Sequence, residues 1–197
     1  RLPPWARRMA TTKWIVYNGA FVGANLERCT LAGKTFNGCS FANANLRSAD
    51  LSGGNFRGCN FVKADLSGAI LRVADFTGAN MTGADLSQSY AKGALFADAK
   101  LCTAVMRRMV AKNALFINAD MTMADVAFAE FLGAKFDGAI LEQLRNVNTC
   151  SFRWWMSPHG GYPSYVPVPG WGVLEESVLG NISFRENAAR QKLEMGE

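Results

Sequence analysis

The chain has 197 residues, is 49% hydrophobic and carries a formal net charge of +5, with a mean hydropathy of +0.01. That length suits one ordinary domain with extensions, and no run approaches the ~18 apolar residues of a membrane helix, so a soluble or peripheral protein is expected. One histidine, His159, and five cysteines at 29, 39, 59, 102 and 150, with no CxxC pair and no metal spacing, come close to excluding histidine-based zinc or iron sites, and no metal or cofactor is expected.

The charge is uneven. Residues 1–18 hold Arg1, Arg7, Arg8 and Lys13 and no acid, residues 19–141 hold twelve basic and ten acidic side chains, and residues 142–197 hold five and six. The body is nearly neutral, so a nucleic-acid footprint is not indicated and no nucleic-acid partner is expected. The first segment, 1–13, reads as a basic arm. An Arg-rich, acid-free start without an initiator Met is compatible with the stub of an organellar transit peptide, or with added residues ahead of Met9.

Next come Trp14, Ile15 and Val16, which can cover the lower end of a repeat region. From Gly19 to Leu141 the sequence repeats every five residues without interruption. Call the centre of each repeat i. The centres run Phe21, Leu26, Leu31, Phe36, Phe41, Leu46 and onward to Phe131, Phe136 and Leu141, and all but Ala91 and Ala111 are large and apolar. Position i−2 is small: Gly19, Ala24, Cys29, then mostly Ala as far as Ala139. Neither a helix nor a plain strand has this period. Five residues fit one side of a square coil, with the large and the small residue inward and i−1, i+1 and i+2 outward. Glycine at i+2 suits the corner.

The pattern Ala64-Asp65-Leu66-Ser67-Gly68 and its copies resemble the pentapeptide-repeat family. The resemblance implies an all-β solenoid, a right-handed quadrilateral parallel β-helix of about six coils. Sorting by twenties agrees with four sides. Phe36, Phe56, Phe76, Phe96, Phe116 and Phe136 form one column, Leu26, Leu46, Leu66 and Leu86 another, and Phe21, Phe41 and Phe61 a third.

Three exceptions test the pattern. Met109, oversized for i−2, lies on the same side as the small centre Ala111, which reads as volume compensation. Lys34 occupies an inward slot, and space beside Gly54, one coil on, is expected to let it out. Cys29, Cys39 and Cys59 stand in for Ala. A Cys39–Cys59 disulfide is allowed but not required, and Cys102 faces out as a free thiol.

The pattern fails after Leu141, which sets the rod at 14–144 and a tail at 145–197. Residues 152–172, with Trp154, Trp155, Tyr162, Tyr165 and Trp171 among Pro and Gly, cannot form a regular helix and are expected to dock as an extended segment. Ser183-Phe184-Arg185-Glu186 is a capping-box pattern, predicting a short helix near 184–194.

The outer surface changes character in the fourth and fifth coils. Ile70, Tyr90 and Val110 form an apolar row, with Arg72, Lys92 and Lys112 as a basic ladder beside it. Leu95, Leu115 and Ile117 cluster on the following side, and Val105, Arg107 and Arg108 on the preceding one. Contiguous exposed apolar groups mark an interface, filled by the chain's own tail (Glu175 and Glu176 included) or by a partner.

Asp50, Asp65, Asp75, Asp85, Asp120 and Asp125 fill the ordinary outward slot and read as turn and surface residues. His159 has no Ser, Cys or carboxylate spaced to complete a triad, and no phosphate-cradling glycine motif is present. Catalysis is not expected. The reading is a non-catalytic scaffold, an accessory subunit of a larger, organellar or viral, assembly that binds proteins and reaches a membrane only through its complex. Some family members resemble duplex DNA and protect gyrase. That alternative needs an acidic rod, which this is not. A transient assembly factor is the third reading.

Overall fold

The computed structural model describes residues 18–150. The basic arm, the expected cap of Trp14, Ile15 and Val16, the aromatic segment 152–172 and the helix expected near 184–194 lie outside the described residues.

Within 18–150 a turn recurs every five residues, and the residue at i−1 pairs in parallel with the residue twenty positions on, from Ala20 with Ser40 to Asp125 with Arg145. Four sides of five residues therefore close one coil, and each coil stacks on the last without a slip. The backbone accounts for this register. In the first repeat Phe21 N–H donates to the Ser40 carbonyl one coil on (2.6 Å), Gly23 N–H to the Ala42 carbonyl (2.9 Å), and Ala24 N–H back across the turn to Phe21 (3.0 Å). Ser40 N–H returns a bond to Gly19 (2.8 Å). Four of the five N–H groups are thus used by main chain, which is what a buried backbone requires.

Every corner residue has positive φ, from Asn18 to Gln143. Eleven of these corners are glycines and fifteen are not. Positive φ at the third residue of a turn is the type II requirement, met best by Gly or Asn. The turn takes two of every five residues, so each side keeps one bridging residue and no longer strand forms among the described residues.

The core is a file of aromatic rings. Phe36, Phe56, Phe76, Phe96, Phe116 and Phe136 stack with centroids 4.9–5.4 Å apart and planes within 11°. Phe21, Phe41 and Phe61 stack at 4.7 and 4.9 Å and meet the first file edge-on. Burial of each ring is worth ~1.5–3 kcal/mol, with ~0.5–1.5 kcal/mol more from ring geometry. Met109 and Ala111 are both fully buried, as volume compensation requires. Ser89, buried at i−2, donates its hydroxyl to the Leu86 carbonyl at 2.7 Å.

Two expectations about the inward slots change. Lys34 is half-exposed, so no buried ammonium has to be relieved. The room beside Gly54 is absent: a Cβ there would lie 2.5 Å from Phe56 Cε2 and 3.0 Å from the Leu51 carbonyl oxygen. The ring file has taken that space. Cys39 and Cys59 are buried free thiols, not a disulfide.

The fifth N–H, at i+1, is the one the main chain leaves over. Wherever i−1 is Asn or Asp, from Asn25 to Asp125, its side-chain oxygen accepts that N–H, at 2.8–3.2 Å. These are Asx turns, so the six aspartates singled out in the sequence cap corners. Arg47 and Arg57 reach from one coil to the next and pair with Asp65 and Asp75 at 3.1 and 3.2 Å. Asp125 is 2% exposed and is held by both Arg107 (Nη2, 2.7 Å; Nε, 2.8 Å) and Asn146 Nδ2 (2.8 Å). Asn146 directly precedes the 3-10 turn Val147–Thr149, so this carboxylate ties the last bridges to the chain that leaves them.

This packing has two measurable consequences. Gly54→Ala should destabilise the rod by about 1–3 kcal/mol through overpacking, seen as a lower thermal midpoint. Partial burial alone would raise the carboxyls of Asp65, Asp75, Asp120 and Asp125, but hydroxyl, amide and N–H donors, with Arg47, Arg57, Lys100 and Arg107, hold them below 3.8. A depressed folded value gives stability that is present above 3.8 and lost as pH falls through the folded values. The thermal midpoint should therefore stay level from pH 7 to about pH 5 and drop steadily below 3.8.

Candidate protein-binding face

Each outward position stacks on its equivalent one coil away, so the surface is a set of columns. In most of them i−1 is Asn, Asp, Ser or Thr. In one the order is Thr30, Asp50, Ile70, Tyr90, Val110, Glu130, paired rung by rung. Ile70 and Tyr90 (55% exposed) stand out from the rod, while Val110 is half-buried. The structure thus brings together the apolar row expected from the sequence. Arg72 and Lys92, at i+1 of the same rungs, are exposed beside it.

Lys112 differs from its column mates. Its Nζ lies 2.8 Å from Glu130, so the chain itself neutralises the upper rung of the ladder. Exposed on both sides, that pair is worth ~0–1 kcal/mol. Arg72 and Lys92 make no ion pair with a described residue.

On the preceding side Arg107 is committed to Asp125 and so is a structural residue as well as an outward cation. Arg108 lies 5.9 Å over the ring of Phe128. Val105 is half-buried, as are Leu95, Leu115 and Ile117 on the following side. They flank the exposed row without standing out from it. Trp154, Trp155, Tyr162, Tyr165 and Trp171, also expected at the interface, lie outside the described residues, as does His159.

One residue of this face escaped the sequence reading. Val73, 65% exposed, stands at a corner with φ 49°, in a column otherwise made of Gly33, Gly53, Gly93, Asn113 and Gly133. A β-branched residue in the left-handed region is strained. The signal was in the sequence: a valine where the column asks for Gly or Asn. Phe128 and Leu132, exposed on the last coil, were missed because the register alone does not say which outward positions lie bare.

The thiols offer no nucleophile. Burial pushes Cys29 up to about 11 and Cys59 and Cys150 to about 12. Cys102, half-buried instead of fully outward, is raised to about 11 by burial and then by Asp120. Thiols so raised are protonated near neutral pH. Among the described residues no cluster of three or more His, Cys, Asp or Glu could hold a metal ion, and no helix is long and apolar enough to cross a membrane.

The family model for pentapeptide repeats matches residues 21–58 and 55–88, with eight copies. A comparison with curated proteins finds no match. Among solved structures, the chain is similar to HetL, a pentapeptide repeat protein involved in heterocyst differentiation regulation from the cyanobacterium Nostoc. The identity is 29% over 66% of this chain and 61% of that one, with a TM-score of 0.48. It is also similar to a pentapeptide repeat protein of the Arabidopsis thaliana thylakoid lumen, at 26% identity over 48% of this chain and 66% of that one, with a TM-score of 0.47. A third likeness is to trypsin-treated QnrB1, a plasmid-mediated fluoroquinolone resistance protein, at 24% identity over 70% of this chain and 79% of that one, with a TM-score of 0.30. The chain spans less than two thirds of the length of the first two. Residues 21–88 thus match the pentapeptide-repeat model, and the five-residue register of centres, corners and twenty-residue bridges that contains them continues beyond them to the bridge of Asp125 with Arg145.

Proposed function

We propose that this chain is a non-catalytic scaffold, an accessory subunit of a larger protein assembly. It binds its partner through the face that carries Ile70, Tyr90 and Val110. The observation that carries this reading is the replacement of corner-capping Asp50 by three successive apolar residues in one column, two of them exposed, on a rod where eleven Asn and Asp side chains close corners. An apolar row that gives up three caps and faces outward is explained by a second surface covering it. The organisation in this proposal is a basic arm at 1–13, a right-handed rod at 14–144 and a tail at 145–197 that adds Trp154, Trp155, Tyr162, Tyr165 and Trp171 to the contact. An organellar compartment fits the basic leader.

Inhibition of a topoisomerase by DNA mimicry is the weaker reading. It asks for a continuous file of free carboxylates, whereas Asp65, Asp75 and Asp125 are capped and paired with Arg47, Arg57 and Arg107. Size fractionation of the native source under mild conditions tests the proposal. A subunit migrates in a complex much larger than 21.4 kDa, and Tyr90→Glu shifts the chain to its own size without lowering its thermal midpoint. Migration at one or two times that mass for the unaltered chain would sink the subunit reading.

A further inference from the structure

Eleven i+1 N–H groups of the rod are closed by an Asn or Asp at i−1, and Ser52 N–H on Asp50 (2.9 Å) is the example in the face's own column. At the next three rungs the acceptor is gone, because Ile70, Tyr90 and Val110 have none. The main-chain N–H groups of Arg72, Lys92 and Lys112 find no other acceptor among the described residues. The same three residues carry the cations. The third rung is answered by the chain's own Glu130, at 2.8 Å from Lys112, and the first two are not. Val73 adds an apolar knob beside Arg72, with glycines below it (Gly53) and above it (Gly93). Its left-handed backbone is strained for a β-branched residue, and at 65% exposure little burial within the rod offsets that. Strain kept at an exposed position points to a contact outside the fold.

We propose that Ile70, Arg72, Val73, Tyr90 and Lys92 form the docking site for an acidic amphipathic helix of a partner protein, lying along the rod axis. This rests on the protein-binding reading above and names the partner's chemistry. The main chain between rungs is already bonded, so the partner is held by side chains and by the two open N–H groups, not by an added strand. Carboxylates accept from both the N–H and the cationic side chain of Arg72 and of Lys92, as Glu130 does from the Lys112 side chain. The apolar stripe of the helix covers Ile70, Val73 and Tyr90. Rungs lie ~4.8 Å apart. Residues three or four apart on a helix are ~5–6 Å apart, and alternate residues of a strand ~6.7 Å, so a helix keeps step with the ladder better. The chain's own 183–192 stretch, with Arg185, Arg190 and Lys192 against Glu186, has the wrong sign to be the occupant.

The test is zero-length carbodiimide cross-linking of the complex from the native source, with the residue joined to Lys92 read by mass spectrometry. The expected result is an Asp or Glu of another protein, in a stretch with acids three or four residues apart and an apolar stripe. A synthetic peptide of that stretch should bind the full chain. Binding should fall at least tenfold for R72E/K92E, and equally for I70N/Y90N. The second variant restores the cap found at Asn55 and Asn80, so its thermal midpoint should not fall. Three results overturn the site while leaving a protein-binding rod standing. They are Lys92 joined to Glu175 or Glu176 of its own chain, Lys92 without a cross-link in an intact complex, and a complex unaffected by both variants. A native chain that migrates alone overturns the site and the subunit reading together.

Discussion

Everything in this rod depends on one backbone constraint, a residue with positive φ at every fifth position. From Asn18 to Gln143 the chain turns a corner at each of them. With that interval fixed, twenty residues return the chain to the same side, main-chain bonds join coil to coil, and large and small residues alternate inward. Glycine meets the constraint without strain, and Asn nearly so. A break in the interval would turn each later centre out of the core, which is why a register of twenty-five repeats without an insertion is so informative.

The same constraint leaves one N–H per repeat outside the main-chain network, and the outer surface is organised around it. Asn or Asp closes it and fixes the corner. The six aspartates at i−1 are therefore acceptors that close corners, and three of them are also paired with an arginine from the neighbouring coil. Where a column gives up this cap for Ile, Tyr or Val, the fold loses a hydrogen bond and gains an exposed apolar row. The two changes together mark a surface shaped by something other than folding.

Much of this was legible in the sequence. The period gave the inward and outward positions, and the twenty-residue sorting of Phe36 to Phe136 gave the stacked file, because a close-packed core leaves no freedom in which residue meets which. What stayed hidden depended on distances that a register does not carry. Lys34 reads as buried from its slot, yet it is half-exposed. Gly54 reads as a gap, yet Phe56 fills it. Arg107 reads as a free surface cation, yet it holds Asp125. The candidate face was found as columns of residue types. Its open N–H groups and the strain at Val73 needed the backbone.

Residue-resolved hydrogen exchange on the isolated full chain tests the account most directly, because it reads each amide separately. The account predicts protection with a period of five and, at i+1, a split by the preceding residue. Ser52, Ser67 and Thr77, closed by Asp50, Asp65 and Asp75, should exchange slowly. Arg72 and Lys92 should exchange at least tenfold faster, close to the rate of an open amide. Equal protection of Arg72, Lys92 and Ser52, or protection without the five-residue period, would contradict it.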